Sequence, residues 1–175
     1  VNPTPQLSMQ VSSGRLDEPE EDEEGVSVNR TTASITGTGR IGSDGVWSAT
    51  AVWGRNDPSE GPTTNAYLAE ATVELDRVHT VFGRLESLRT TGADLELGAG
   101  FEDRTFPVLS ASLGYLVTFT KLQAQEVAIG IRLTANRVDP DLRDFYGDSV
   151  EYGAVLFLRL RPSLIYATDG HAHRK

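Results

Sequence analysis

The chain has 175 residues, a formal net charge of −9 at pH 7 and no cysteine. The acidic excess excludes nucleic acid as a partner, because binding to nucleic-acid phosphates needs clustered lysine and arginine. The lack of cysteine excludes a disulfide framework, and no apolar run of about 18 residues is present to form a transmembrane helix.

Apolar and polar residues alternate along most of the chain, which is the pattern of strands with one apolar and one polar face. In chain order, this alternation predicts strands at residues 6–13, 29–40, 46–55, 65–75, 78–90, 106–119, 124–137 and 150–161. Most of these segments are longer than ten residues. A globular strand has about five or six residues, whereas a tilted strand that crosses a bilayer needs about 9–11. The lengths therefore favour strands that span a membrane.

The predicted connections alternate between long loops and short turns. The long loops are at 14–28, 56–64, 91–105 and 138–149, and the short turns are at 41–45, 76–77 and 120–123. Alternation of this kind places all long loops at one end, as in bacterial barrels with extracellular loops and periplasmic turns. We therefore predict an all-β, antiparallel up-and-down transmembrane β-barrel of about eight strands at 1–162, followed by a C-terminal tail at 163–175.

The last predicted strand separates its side chains most clearly into two faces. Leu156, Leu158 and Leu160 fall on one side, where they would face lipid. The charged side chains of this and other strands fall on the opposite side. Aromatic residues near the strand ends fit the interfacial girdles of membrane barrels. The predicted girdle residues are Trp47, Trp53, Tyr67, Tyr115 and Tyr152.

The charged residues of the polar side are predicted to project into one lumen. They are Glu70, Glu74, Arg84, Glu86, Arg132, Glu151, Arg159 and Arg161. Mixed charges of this kind can form a salt-bridged plug, or they can filter a solute that passes through a pore. The plug is the favoured interpretation, because side chains nearly fill the interior of an eight-stranded barrel.

A soluble alternative stays open at this point. A β-sandwich or lipocalin-like barrel that binds a ligand also alternates, with its apolar face inward. An enzyme is not predicted, because no nucleophile and base converge. His79 has only Ser87 near it in the sequence, about 26 Å away along a strand at the usual rise.

Five segments carry a resemblance to known proteins: NPTPQLSMQV, SGRLDEPEEDEEGVSVNRTTASI, WSATAVWGRND, AYLAEATVELDRVHTVFGRLESL and FYGDSVEYGAVLFLRLRP. Together they resemble the C-terminal part of a family of uncharacterised bacterial outer-membrane β-barrel proteins, from Asn2 to Pro162. The resemblance implies a porin-like protein of the Gram-negative outer membrane, surrounded by lipid and lipopolysaccharide. It also implies further strands of the same barrel upstream, and no catalytic motif.

From these features we predict a structural or interaction role in the cell envelope, with other envelope proteins among the partners. A passive pore or transporter of small solutes is the alternative. We predict no cofactor and no metal site. The acidic run at 17–24 is expected to form a mobile tip without a fixed ligand. His171 and His173 are expected to belong to an incidental tail rather than to a metal site.

Overall fold

The computed structural model contains one antiparallel sheet of eight strands. The structure describes residues 1–17, 25–92, 94–95, 97–98, 100–101, 104–122, 125–143 and 147–162. The strands are β1 (Leu7–Asp17), β2 (Ser27–Ile41), β3 (Gly45–Pro58), β4 (Thr64–Glu74), β5 (His79–Thr91), β6 (Thr105–Leu122), β7 (Gln125–Arg137) and β8 (Val150–Pro162). A 3-10 turn, Pro140–Leu142, precedes β8. Among the described residues, no helix is long and apolar enough to cross a membrane.

The strands follow one another across the sheet in chain order, and each pairs antiparallel with the next. The predicted all-β, up-and-down arrangement of eight strands is therefore confirmed. Closure into a barrel is not seen, because β1 and β8 form the two edges of the sheet and do not pair with each other in the described residues. At the β1 edge, Val1 exchanges two backbone hydrogen bonds with Met9, of 2.7 and 2.8 Å.

Several strands are longer than the alternation predicts, so most of the connections between them are shorter. The predicted long loop at 56–64 shrinks to 59–63, because β3 continues to Pro58. The predicted two-residue turn at 76–77 is a connection at 75–78. The alternation of apolar and polar residues in β3 ends at residue 55, where the predicted strand ends. The backbone pairing between β2 and β3 continues to Pro58.

The connections still divide between the two ends of the sheet. We call the end with the connections at 42–44, 75–78 and 123–124 the turn end. We call the end with the connections at 18–26, 59–63, 92–104 and 138–149 the loop end. This division follows from antiparallel pairing in chain order, since every second connection returns to the same end.

The pairing register divides the side chains between two faces. We call the face that carries Leu113, Ile131 and Leu156 the apolar face, and the face that carries Arg84 and Arg132 the polar face. Leu113, Ile131 and Leu156 are 63%, 45% and 72% exposed. The apolar face is therefore uncovered in the isolated chain.

The polar face is concave between β5 and β8. The ring centroids of Phe82 and Phe157 are 6.2 Å apart, although strands three positions apart in a flat sheet are separated by about 14 Å. The two rings lie over Gly114 and Gly130, where an added Cβ would come within 2.1 Å of Phe82 and 2.5 Å of Phe157. Leu116, which pairs with Gly130, is 2% exposed. Glycine at these two positions leaves the space that lets the sheet curl.

Two of the long connections contact each other at the loop end. Arg104 Nη2 donates a hydrogen bond to Asp141 Oδ2 at 2.6 Å. The same guanidinium lies over the rings of Phe101 and Phe106, 5.3 and 5.2 Å from their centroids. Leu142 is fully buried in the 3-10 turn. An ion pair and a small apolar core therefore hold this acidic connection in place.

Two predicted features lie outside the described residues. One is the acidic tip, of which residues 18–24 are not described, and the other is the tail at 163–175 with His171 and His173. The mobile tip at 17–24 and the incidental tail with His171 and His173 therefore remain predictions.

Candidate functional site

The charged residues predicted for a lumen all belong to the polar face. The pairing register places Glu70, Glu74, Arg84, Glu86, Arg132, Glu151, Arg159 and Arg161 there. They form one cluster near the middle of the sheet and another at the turn end. Glu151 lies apart from both clusters, exposed near the loop end of β8.

The central cluster consists of Glu70, Arg84, Glu86 and Arg132. Arg84 Nη2 donates a hydrogen bond to Glu86 Oε2 at 3.0 Å, and Arg84 Nη1 is 3.8 Å from Glu70 Oε2. Because these side chains are between a third and a half exposed, water weakens the ion pairs. Arg132 has no hydrogen-bond or ion-pair partner among the described residues. Together with neighbouring hydroxyl groups, Glu70, Arg84 and Arg132 line a cavity of about 300 Å³.

The turn-end cluster consists of Glu74, Glu126, Arg159 and Arg161. Arg161 Nε donates to Glu126 Oε2 at 2.7 Å, and Arg161 Nη1 donates to Glu74 Oε1 at 3.1 Å. Glu74 is on β4 and Arg161 is on β8, and these strands would be about 19 Å apart in a flat sheet. The ion pair therefore crosses the concave polar face.

Burial distinguishes the turn-end cluster from the central one. Glu126 is 8% exposed, and the Nε atom of Arg159 is buried without an acceptor among the described residues. Thr118 and Ala128, on the same face, are 9% and 1% exposed. The polar face is thus tightly packed at the turn end and more open in the middle.

The predicted girdle aromatics all lie on the apolar face. Trp47 covers Gly39, where an added Cβ would be 2.5 Å from the indole nitrogen. Trp53 Nε1 donates a hydrogen bond to Asn65 Oδ1 at 3.2 Å. The two tryptophans are six residues apart on β3, or about 20 Å along the strand. The other three residues are exposed: Tyr67, Tyr115 and Tyr152.

The turn between β4 and β5 carries an aspartate and a histidine with defined partners. Asp76 Oδ1 accepts hydrogen bonds from the backbone N–H groups of His79 and Val78, both at 2.7 Å. These bonds, that of His79 first, lower the pKa of the Asp76 carboxyl below its ordinary value of 3.8. The His79 ring stacks on Tyr115 with centroids 6.0 Å apart, and Nδ1 hydrogen bonds the Tyr115 hydroxyl. His79 therefore has a partner on the neighbouring strand.

Some residues of the site are absent from the prediction. Glu126 shares the even-numbered side of β7 with Arg132, so its position in the alternation was an available signal. The contact between Phe82 and Phe157 has no signal in the sequence, because it depends on the curvature of the sheet. The alternation assigns a side chain to a face but does not determine which strands face each other.

Within the described ranges, no group of three or more histidine, aspartate or glutamate side chains is arranged to hold a metal ion. Comparison with known protein families, curated proteins and solved structures finds no match. The function must therefore be inferred from the chain's own geometry, in which an exposed apolar face lies opposite a face of ion pairs and hydroxyl groups.

Proposed function

We propose that the chain forms the wall of an outer-membrane β-barrel in a Gram-negative envelope, where it has a structural or interaction role. The observation that carries this proposal is the exposed apolar face, which crosses all eight strands without a charged side chain at its centre. Lipid and lipopolysaccharide would cover that face. The polar face would line the interior.

The extent of the apolar face argues against exposure to water. Leu156, Leu158 and Leu160 are 72%, 69% and 67% exposed, and they adjoin Ile129 and Ile131 on β7. Soluble monomers rarely expose contiguous apolar patches larger than a few hundred Å², because each Å² of apolar surface in water costs about 25 cal/mol. In a bilayer the same side chains would contact hydrocarbon at no such cost.

The curvature also argues against the soluble alternative. A soluble barrel or sandwich turns its apolar face inward. Here the concave face carries the ion pairs that Arg161 makes with Glu74 and Glu126. The apolar leucines lie on the opposite, convex side, which is the arrangement of a membrane barrel.

The turn-end cluster favours a structural role over a pore. A pore needs a continuous aqueous path, but Arg161 bridges β4 and β8 while Phe82 and Phe157 meet beside it. These contacts fill the interior at the turn end. A barrel widened by additional strands would separate β4 from β8 and open a path, so a passive pore is the second candidate.

The free edges of the sheet must also be covered in a bilayer. An unpaired backbone group in hydrocarbon costs several kcal/mol, so open edges do not occur there. β1 and β8 would therefore pair with each other or with further strands of the same barrel. Either arrangement keeps the apolar face outward.

Fluorescence quenching by brominated lipid tests membrane insertion. The chain would be refolded into vesicles whose acyl chains carry bromine, which quenches only tryptophan in contact with hydrocarbon. We expect quenching of Trp47 and Trp53 in single-tryptophan variants. The matched control carries Trp47→Phe, Trp53→Phe and Phe157→Trp, and its tryptophan on the polar face should escape quenching. Equal quenching on both faces, or none on either, would contradict the proposal.

Conductance in planar bilayers separates the two candidate roles. The plugged structural barrel should insert without a steady ion current. A stable unitary current through the inserted full chain would favour the pore.

A further inference from the structure

Four arginines mark the loop-end border of the apolar face, one on each odd-numbered strand. They are Arg15, Arg55, Arg89 and Arg137, which we call the arginine belt. All four side chains are exposed. Neighbouring members lie two strands apart, which is about 10 Å across a sheet. Among the described side chains, the turn-end half of this face carries no arginine or lysine.

The register places the belt on a sloping line across the sheet. Arg89 pairs with Pro107, whereas Arg137 pairs with Leu109, so Arg137 lies two residues nearer the turn end. Arg15 lies two residues nearer the loop end than Arg55, since Arg15 pairs with Asn29 and Asn29 pairs with Asp57.

The line from Glu74 on β4 to its partner Arg161 on β8 is inclined in the same direction as the belt. The row of paired residues that contains Glu74 reaches β8 at Phe157. Glu74 nevertheless contacts Arg161, four residues nearer the turn end. Both lines follow the tilt that strands have relative to a barrel axis. The four arginines therefore lie at a similar depth in a tilted sheet.

The guanidinium groups of the belt have N–H donors that are not used in ion pairs. Arg15 and Arg55 each contact an aspartate two residues further on, Asp17 at 3.0 Å and Asp57 at 3.4 Å. A guanidinium has five N–H donors, and such exposed pairs are weak. Arg89 and Arg137 have no ion-pair partner among the described residues.

We propose that the arginine belt binds the phosphate groups of lipid headgroups in the leaflet on the loop-end side. The inference rests on the proposed membrane insertion, which brings the border of the apolar face to headgroup depth. Guanidinium groups bind phosphate oxygens in a bidentate manner, and lipid phosphates lie in one plane, as the belt does. The belt thereby fixes the depth and the direction of the barrel in the membrane.

The test compares two double variants that remove equal charge. Arg89→Gln with Arg137→Gln weakens the belt, and Arg40→Gln with Arg77→Gln removes two arginines at the turn end. Each full chain is refolded into phosphatidylcholine vesicles that contain a minor fraction of phosphatidic acid. Native mass spectrometry after mild detergent extraction then measures the phosphatidic acid that stays bound.

We expect the belt variant to lose affinity for phosphatidic acid about thirtyfold, from about fivefold for each arginine near an anionic surface. The turn-end variant should retain the lipid as the wild type does. Resistance to protease in the vesicles reports insertion separately. Failure of the wild type to insert overturns both proposals, whereas insertion with equal lipid retention in the two variants overturns the belt alone. Tight binding of inorganic phosphate in detergent, without preference for phosphatidic acid, would refute the lipid assignment.

Discussion

Replacing Ile131 with arginine tests, by its energetic cost, the proposal that the apolar face contacts lipid. Ile131 is the central residue of β7 (Gln125–Arg137), and it is 45% exposed on the apolar face. An arginine on the lipid face costs about 2–4 kcal/mol at the bilayer midplane. An exposed substitution in water usually changes stability by less than about 0.5 kcal/mol. We therefore expect Ile131→Arg to lower the free energy of unfolding by about 2–4 kcal/mol in lipid.

Urea unfolding in phosphatidylcholine vesicles, followed by tryptophan fluorescence, measures this cost. Two controls distinguish the effect of depth in the bilayer from the effect of the face on which the arginine lies. Leu109→Arg lies on the same face beside Arg137, where the cost should fall to about 0–1 kcal/mol near the interface. Thr134→Arg lies on the polar face of the same strand and should also cost little. Equal costs for Ile131→Arg and Leu109→Arg would contradict a lipid-facing position for Ile131, because the cost would not depend on depth in the bilayer.

Three further predictions concern packing and charge. Arg161→Gln should destabilise the fold by about 2–3 kcal/mol in the same assay, since it removes the ion pairs with Glu74 and Glu126, whereas the more exposed Arg84→Gln should cost less than about 1 kcal/mol. Gly114→Ala should cost about 1–3 kcal/mol by colliding with the facing phenylalanine ring, whereas Gly54→Ala, which meets no atom within 4 Å, should be close to neutral. Backbone hydrogen bonds lower the pKa of Asp76 below 3.8, so its stabilising contribution is present above that pH and is lost as the pH falls through the folded-state pKa. The difference in urea midpoint between wild type and Asp76→Asn should therefore shrink on acidification, and a constant difference would count against this role.

The sequence predicted the strands well, because a two-residue repeat leaves a strong pattern. In β8 every second residue from Tyr152 to Leu160 is apolar, and the structure forms a strand from Val150 to Pro162. The ends of the strands were less predictable, as at β3, which continues to Pro58. Backbone pairing does not depend on side-chain polarity, so the apolar pattern understates its extent.

The packing of the polar face could not be predicted from alternation. Alternation assigned Glu74 and Arg161 to one face, but their contact depends on how far the sheet curls. That curl depends on Phe82 and Phe157 lying over small residues, a relation between strands that one strand's pattern does not contain. Alternation likewise does not determine whether β1 and β8 pair, which is why the predicted barrel is an open sheet in the described part of the structure.

Spin-label accessibility along β7 measures whether one face of the sheet contacts lipid. Labels would be placed one at a time from Ile129 to Thr134 in the full chain refolded into vesicles. The rates at which each spin label collides with molecular oxygen, which concentrates in hydrocarbon, and with a water-soluble nickel complex are then measured. We expect labels at positions 129, 131 and 133 to collide more with oxygen, and labels at positions 130, 132 and 134 not to. Preference for the nickel complex at the odd-numbered positions, or no alternation at all, would contradict the proposed contact with lipid.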